Sequence, residues 1–396
     1  MKKTVYVIII IYAMTIVFYT NFINHHQMPL ADELYNLTDG NYYFVETEPI
    51  YEWLKAGGYS DFSSKPYVVQ AWKSSADAAR ADELLKIADV VLFNPTEGLK
   101  YGVAAAKMGK LCFEISERWL KRGVVNVLSP RLLKNMWCYH TLFKYKSVYK
   151  LCSSAFAASD QYKLQSYKNR CFKWGYFTKV DENSVFVTLN SDVTNTENTP
   201  IMWCARFLKL KHPELPIKMA SRLKTKGYKF TLNMYGSGDE LENSIALVKE
   251  LNVGDVVKFY GNLPNEQILE TMRRHEIFLF TSDKNEGWGA VVNESMTNGC
   301  VPVGSNKIGS IPYLLKDGEN GCIFKSEDLN SLTEKVEWLL NNPNERMRMR
   351  VNACNTMRNL WSPANAAKSF IQLIDDLQNG RDVSIKEGPC SKALPL

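Results

Sequence analysis

The chain has 396 residues, enough for two domains with cores of their own at roughly 100–200 residues each. Hydrophobic residues make up 45% and charged residues 23%, a globular balance that excludes a disordered, collagen-like or low-complexity chain. The net charge of +6 hides an asymmetry: residues 101–180 hold fifteen Lys/Arg against three acids (15 − 3 = +12), and the rest sums to −6. A basic stretch interleaved with aromatics suits an anionic membrane, a phosphorylated acceptor or nucleic acid. The nine cysteines form neither a CxxC pair nor a Cys/His knuckle. They read as reduced, buried thiols of a cytosolic protein.

Two lysines open the chain, and Thr4–Asn24 carries no charge. Three readings fit: a membrane anchor, a cleaved signal peptide, or an apolar tail running into the first strand of an α/β domain. No small-x-small cleavage site follows. From Met14, "TIVFYTNFINHHQMPLADELYNL" reads as strand, polar loop and helix, with Leu30, Leu34 and Leu37 on one face. Tail plus strand is the reading adopted. It makes residues 1–13 a tail, an anchor or a start-site artefact and opens the first domain at Met14.

Strand-like runs then alternate with helical ones: "NYYFVET" (41–47), "YVVQAW" (67–72), "DVVLFN" (89–94) and "KLCFEIS" (110–116), with a helix over Ala76–Ala88. That alternation predicts βαβ units and a parallel sheet. Residues 131–150 read as one amphipathic helix, basic and aromatic. It is either packed on the sheet or turned toward lipid headgroups. Residues 178–200 are polar and read as a linker. A second α/β set follows: "IMWCARF" (201–207), "KFTLNMYGSG" (229–238), "VVKFYGNLP" (256–264), "IFLFTSD" (277–283), "CVPVGS" (300–305) and "GCIF" (321–324). Asp328 or Ser331 caps the helix over 328–340, Ser362-Pro363 opens another over 361–377, and the polar tail after it is expected to fray. The domains are therefore 14–180, a linker at 181–200, 201–360, a closing helix at 361–378 and a tail at 379–396. Two α/β halves imply a cleft between them.

The chemistry concentrates in "TSDKNEGWGAVVNESMTNGCVPVGS". Glu286 sits in the loop after a buried strand, and Gly287-Trp288-Gly289 opens a helix whose exposed amides suit an anion. Glu294 lies about two turns into that helix. Two carboxylates beside a phosphate site suit a hydroxyl-rich ligand.

The segment resembles the E-x7-E signature of the retaining glycosyltransferases of family 4, which have the GT-B fold. "ARFLKLKH" is similar to the family's GR-x4-K element, with Ala205 in place of the usual Gly. "YGSGDE" (235–240) resembles its strand-end glycine turn and "VKFYGNLPNEQI" its nucleobase loop. The run after Glu294 and the "WSP" helix also match, so that the resemblance covers 200–378. What the resemblance implies is two Rossmann-like domains facing across a cleft, a nucleotide-sugar donor and retention of configuration. Glu286, Arg206, Lys211 and His25 would be catalytic, with the two cations clamping the diphosphate and Glu286 holding sugar hydroxyls. Gly236, Asn262, Leu263, Gly287, Trp288, Gly289 and Glu294 would bind the donor, Glu294 through the ribose.

In the first domain the family's Gly-rich loop is replaced by "NFINHHQ", where His25 or His26 would meet phosphate or sugar. "SERWLKRG" (116–123) resembles a piece of capsular-type transferases and makes His26, Glu117 and Arg118 the acceptor side. No DxD pair stands at a strand end, so no metal and no other cofactor is expected. Uridine is the commoner base in such donors. The basic segment suits a lipid-linked glycan acceptor in capsule or lipopolysaccharide synthesis. The enzyme would sit in the cytoplasm, peripheral on the inner face of an anionic membrane, with no nucleic-acid partner. An inactive GT-B binding protein and a nucleotide-sugar epimerase are the alternatives.

Overall fold

A computed structural model describes residues 14–52, 61–121, 123–180 and 198–396. The tail at 1–13 and nearly all of the expected linker (181–197) lie outside them. The chain forms two compact units. One comprises residues up to Lys179 together with Trp361–Leu396, and the other comprises Val180–Leu360.

The first unit is a seven-stranded parallel sheet of order β3-β2-β1-β4-β5-β6-β7. Its elements are β1 (Ile16–Thr20), α1 (Met28–Leu37), β2 (Tyr42–Glu46), β3 (Val68–Gln70), α2 (Ser75–Ile87), β4 (Val90–Phe93), α3 (Leu99–Lys107), β5 (Leu111–Ser116), α4 (Pro130–Cys138), β6 (Val148–Cys152), α5 (Ala157–Lys163) and β7 (Cys171–Lys173). Every residue of β1 and β4 is buried, as expected of a parallel sheet covered on both faces. Val17, Tyr19, Val91, Phe93, Cys112 and Val148 form its core. Ser74 caps α2 by accepting the Asp77 amide at 3.1 Å.

The second unit holds β8 (Thr199–Cys204), α6 (Glu214–Thr225), β9 (Phe230–Tyr235), α7 (Leu241–Glu250), β10 (Val257–Phe259), α8 (Asn265–Arg273), β11 (Ile277–Phe280), α9 (Val291–Thr297), β12 (Val301–Ser305), α10 (Ile311–Leu314), β13 (Cys322–Phe324), α11 (Leu329–Asn341) and α12 (Pro343–Asn355). Its six strands run parallel in the order β10-β9-β8-β11-β12-β13. Asp328 is the N-cap of α11 and accepts the amides of Asn330 and Ser331. The closing helix, α13 (Pro363–Gln378), is capped by Ser362 and packs in the first unit, with Phe370 edge-on to Phe113 at 5.0 Å. All nine cysteines are free and eight are buried.

Three segments differ from their sequence reading. Residues 131–150 are not one helix. The helix ends at Cys138, a π-turn covers Tyr139–Phe143, and Val148–Cys152 is a buried strand paired with β5. Lys150 made that strand look polar, yet the side chain is 0% exposed because Glu114 of β5 accepts from it. β8 begins at Thr199, inside the expected linker. The tail after Gln378 does not fray. Lys173 donates to Ser391, Cys390 donates to Lys173 and Ala393 donates to Cys171, at 2.8–3.0 Å. The tail thus covers the edge of β7, whose backbone groups would otherwise stand unpaired.

Candidate active site

The strand order of the second sheet is that of a doubly wound fold, and its direction of winding reverses between β8 and β11. Ligands of such sheets bind beyond the carboxyl ends of the strands at that reversal. Arg206 and Lys211 leave the end of β8, and Glu286 leaves the end of β11.

Glycine lets these exits run side by side. Gly236 has φ +128°, and a Cβ there would stand 2.0 Å from the Ala205 carbonyl oxygen. Gly238, at φ +147°, would strike the Phe207 carbonyl at 2.5 Å. The backbones are knitted by Ala205 N–H to Tyr235 (3.1 Å) and Phe207 N–H to Ser237 (2.8 Å). The Trp203 indole donates to Thr281 Oγ1 at 3.0 Å, and the Thr281 hydroxyl donates to the Lys211 carbonyl at 2.6 Å. That relay fixes Lys211 against the end of β11.

The Lys211 ammonium donates to Glu286 Oε2, which also accepts from Ser282 Oγ at 2.9 Å. Both members of the ion pair are 14% exposed, so they are shielded yet reachable. Arg206 is exposed, and among the described residues its guanidinium has no ion-pair partner. The pair and the free cation together offer an anion and a polyol what each needs: fixed positive charge, and a carboxylate that can exchange its lysine for hydroxyl donors.

Gly289 sits at φ +79° with its Cα so close to Phe280 that a Cβ would lie 2.1 Å from the ring. It ends the loop and starts α9. Glu294 follows on that helix, 8% exposed, with Asn265 Nδ2 donating to Oε1 at 3.2 Å. Burial pushes its carboxyl up to about 7, and the bond from Asn265 only partly opposes this. A raised folded-state value means that the stabilising neutral form is lost as pH rises through about 7. Glu294→Gln should therefore match the parent near pH 4. It should exceed the parent in unfolding free energy by about 3 kcal/mol at pH 8, at 1.36 kcal/mol per unit. Urea unfolding at the two pH values measures this; parallel pH profiles would show that the carboxylate is solvated.

For Trp288 the expected donor contact is the backbone amide, and the side chain is engaged elsewhere. Its side chain is 1% exposed and its indole N–H is spent on Asn293 Oδ1 at 2.9 Å, so the ring belongs to the core. Only its backbone is left for a ligand. On the nucleobase side Asn262 Nδ2 donates to Ser237 Oγ at 2.8 Å, and Gly236 N–H donates to Gly261 at 2.8 Å. Leu263 is half-buried beside them, and Tyr235 stacks on the exposed Tyr260 at 4.9 Å.

Just after Lys211, His212 adopts φ +49°. Its Nδ1 meets Glu214 at 2.9 Å, and its Nε2 faces Asp283 at 3.6 Å and Glu327 at 3.4 Å. The hydrogen bond to Glu214, aided by the charges of all three carboxylates, raises the imidazole above its ordinary value against the opposing effect of burial. That favours an imidazolium hub over a metal ligand, which must be neutral.

The other sequence-derived residues lie in the first unit. His25 and His26 follow β1 with ring centroids 3.8 Å apart. Burial, helped by His25, pushes His26 down to about 3, so it is neutral at physiological pH. Tyr176 stacks on His26 at 5.9 Å and donates to Glu117 Oε1 at 3.2 Å, joining those two. Arg118 closes a two-pronged bond on buried Asp160 (3.0 and 3.2 Å), which also accepts the Leu120 amide. Sequence reasoning missed Ser282, Asn265 and Thr281. Ser282 and Thr281 could have been suspected from the strand end "FLFTS"; Asn265 carries no spacing signal.

The family model for glycosyl transferases group 1 matches residues 190–356. The D-inositol 3-phosphate glycosyltransferase of Corynebacterium diphtheriae is 27% identical over 133 residues, 34% of this chain and 31% of that protein. The N-acetyl-alpha-D-glucosaminyl L-malate synthase of Bacillus anthracis is 28% identical over 136 residues, 34% of each. The chain thus spans about a third of the length of these curated relatives. Among solved structures, Anabaena HepE in complex with UDP superposes with a TM-score of 0.67 at 14% identity, covering 93% of this chain and all of that one. WaaG, a glycosyltransferase involved in lipopolysaccharide biosynthesis, gives 0.57 at 15% identity over 89% and 98%. These likenesses establish the GT-B fold class for the two parallel-sheet units. The group 1 match falls on the second unit, which holds the paired Lys211 and Glu286 at the sheet's reversal.

Proposed function

We propose that this protein is a retaining glycosyltransferase of family 4 that moves a sugar from a nucleotide sugar, with UDP as the carrier, to a glycan acceptor. The observation that carries the reading is the Lys211–Glu286 pair at the reversal of the second sheet, with Arg206 free beside it and Glu294 buried behind. The incoming diphosphate takes the Lys211 ammonium and the Arg206 guanidinium. Glu286, released from Lys211, accepts sugar hydroxyls, and Glu294 accepts those of the ribose. As the glycosidic bond to phosphate breaks, the two cations neutralise the charge left on the diphosphate. The acceptor oxygen bonds to the anomeric carbon on the same face and passes its proton to a donor phosphate oxygen. This scheme requires no metal. HepE in complex with UDP supports the choice of base.

A thermal-shift panel of UDP, GDP, ADP and CMP, with and without Mg²⁺, tests it. UDP at about 100 Kd should stabilise the protein by about 2.7 kcal/mol. The shift should not need Mg²⁺ and should vanish in Glu294→Ala. A folded protein that responds to no nucleotide would instead be a binding protein with a defunct donor site.

The acceptor in this reading is a lipid-linked glycan of capsule or lipopolysaccharide assembly, met at an anionic membrane. Among the described residues no helix is long and apolar enough to cross a membrane. The surface that supports membrane contact is the turn at 124–128 and the outer face of α4. Val124, Val125, Leu128 and Trp137 are 60–76% exposed. Arg131 and Lys134 are exposed beside them, and no Asp or Glu occurs between Arg118 and Ser159. Apolar side chains that water leaves uncovered, ringed by cations, match an interfacial helix. Binding to vesicles containing phosphatidylserine should fall with salt. It should drop about 30-fold in Arg131→Gln/Lys134→Gln, at about 1 kcal/mol per charge. Cosedimentation indifferent to salt and to both substitutions would reject the membrane role.

A further inference from the structure

At the carboxyl ends of β1, β2 and β3 lies a cavity of about 260 Å³ that no step of the proposed reaction uses. It belongs wholly to the first unit. Glu46, the last residue of β2, forms its floor and is 5% exposed. The position is fixed by the sheet, where Glu46 is in register with Thr20 of β1 and Gln70 of β3. Its Oε1 accepts the Ile23 amide at 3.0 Å and its Oε2 accepts Gln70 Nε2 at 3.0 Å. Trp72 is 42% exposed, and its ring forms a wall of the cavity. Lys73 and Asp61 line the rim.

A carboxylate offers about four lone-pair positions, and the two donors here leave room for a ligand in the cavity to donate as well. Gln70 spends an amide hydrogen on Glu46 and keeps its carbonyl oxygen. Lys73 adds a donor. Acceptors and a donor are thus grouped beside a flat apolar face. Two carboxylates around the space oppose a phosphate, and Lys73 alone does not offset them. The volume is below the 300–1,000 Å³ typical of drug-sized ligands and suits one small ring.

We propose that this cavity is a saccharide subsite that holds one neutral pyranose of the acceptor glycan, stacked on Trp72 and hydrogen-bonded to Glu46, Gln70 and Lys73. It lies at the β2–β3 side of the sheet, away from the β1–β4 reversal where His25 and His26 stand, so it grips a sugar beyond the one that reacts. The identification of the ligand as acceptor rests on the glycosyltransferase reading; the presence of a sugar site does not.

Saturation-transfer difference NMR on the full chain tests it. The probes are the methyl α-glycosides of glucose, galactose and N-acetylglucosamine, with glucose 6-phosphate as the charged control. At least one neutral glycoside should receive saturation and glucose 6-phosphate should receive none. The signal should persist with UDP present and in Glu294→Gln. It should disappear in Trp72→Ala and in Gln70→Ala, whose folding is checked by circular dichroism. Absence of transfer to all three glycosides at tens of millimolar, or an undiminished signal in both variants, overturns the subsite. A Trp72-dependent signal in a protein that ignores every nucleotide would leave the subsite standing and remove the transferase reading instead.

Discussion

Glu286→Ala is expected to lower the turnover of sugar transfer by about 10²–10³-fold or more, the range for losing one preorganised polar group aimed at the reacting centre. The fold should survive. Glu286 is 14% exposed, its loop is held independently by the Asp283 amide on Leu210 and by the Glu286 amide on Asp283, and Lys211 can turn to water. UDP should still stabilise the variant, because the diphosphate is gripped by Arg206 and Lys211. Glu286→Gln sharpens the result. It keeps the side-chain volume but presents an NH₂ where Lys211 and the sugar hydroxyls need an acceptor, so it should lose nearly as much activity as the alanine variant. Turnover within about threefold of the parent in both variants, at saturating donor, would remove Glu286 from the site.

The same arrangement separates ground-state binding from catalysis. Without a ligand, Lys211 and Glu286 neutralise each other, which spares the site an uncompensated charge in a shielded position. A diphosphate exchanges one anionic partner of Lys211 for another. The electrostatic gain over the empty site therefore has to come from Arg206, which has no partner to give up among the described residues. Removing Arg206 should weaken nucleotide binding more than removing Glu286 does.

How far the sequence disclosed this site depended on whether the signal was local. Arg206, Lys211, Glu286 and Glu294 were legible because loop glycines and strand ends fix them over short spans. Gly236 and Gly289 are needed where a Cβ would strike Ala205 or Phe280. The partners that orient these groups were not legible. Asn265 reaches Glu294 across 29 positions and Thr281 reaches Lys211 across 70, and no periodicity encodes such distances. The place of the Trp288 ring was not legible either, because its indole is satisfied inside by Asn293. In the first unit the errors came from charge. Lys150 hid a buried strand, and the polar composition after Gln378 hid a segment that covers a sheet edge through its backbone.

Lys150→Met should destabilise the first unit by about 3–5 kcal/mol, the cost of leaving one member of a buried ion pair uncompensated. Lys150 and Glu114 are 0% and 1% exposed and 2.5 Å apart. The ammonium also bonds Ser116 at 2.7 Å and lies over the Trp119 ring at 4.5 Å, while Glu114 keeps the Tyr167 hydroxyl at 2.8 Å. Methionine fills the space of the lysine stem, so the loss is electrostatic rather than a cavity. Adding Glu114→Gln, which removes the uncompensated charge and retains an acceptor for Tyr167, should restore most of the loss. Urea unfolding of the single and double variants decides it. A single variant within 1 kcal/mol of the parent would mean that water reaches Glu114. The outcome bears on function as well, because β5 ends at Ser116 and the next residue is Glu117, so the rigidity of this pair sets where the expected acceptor side stands.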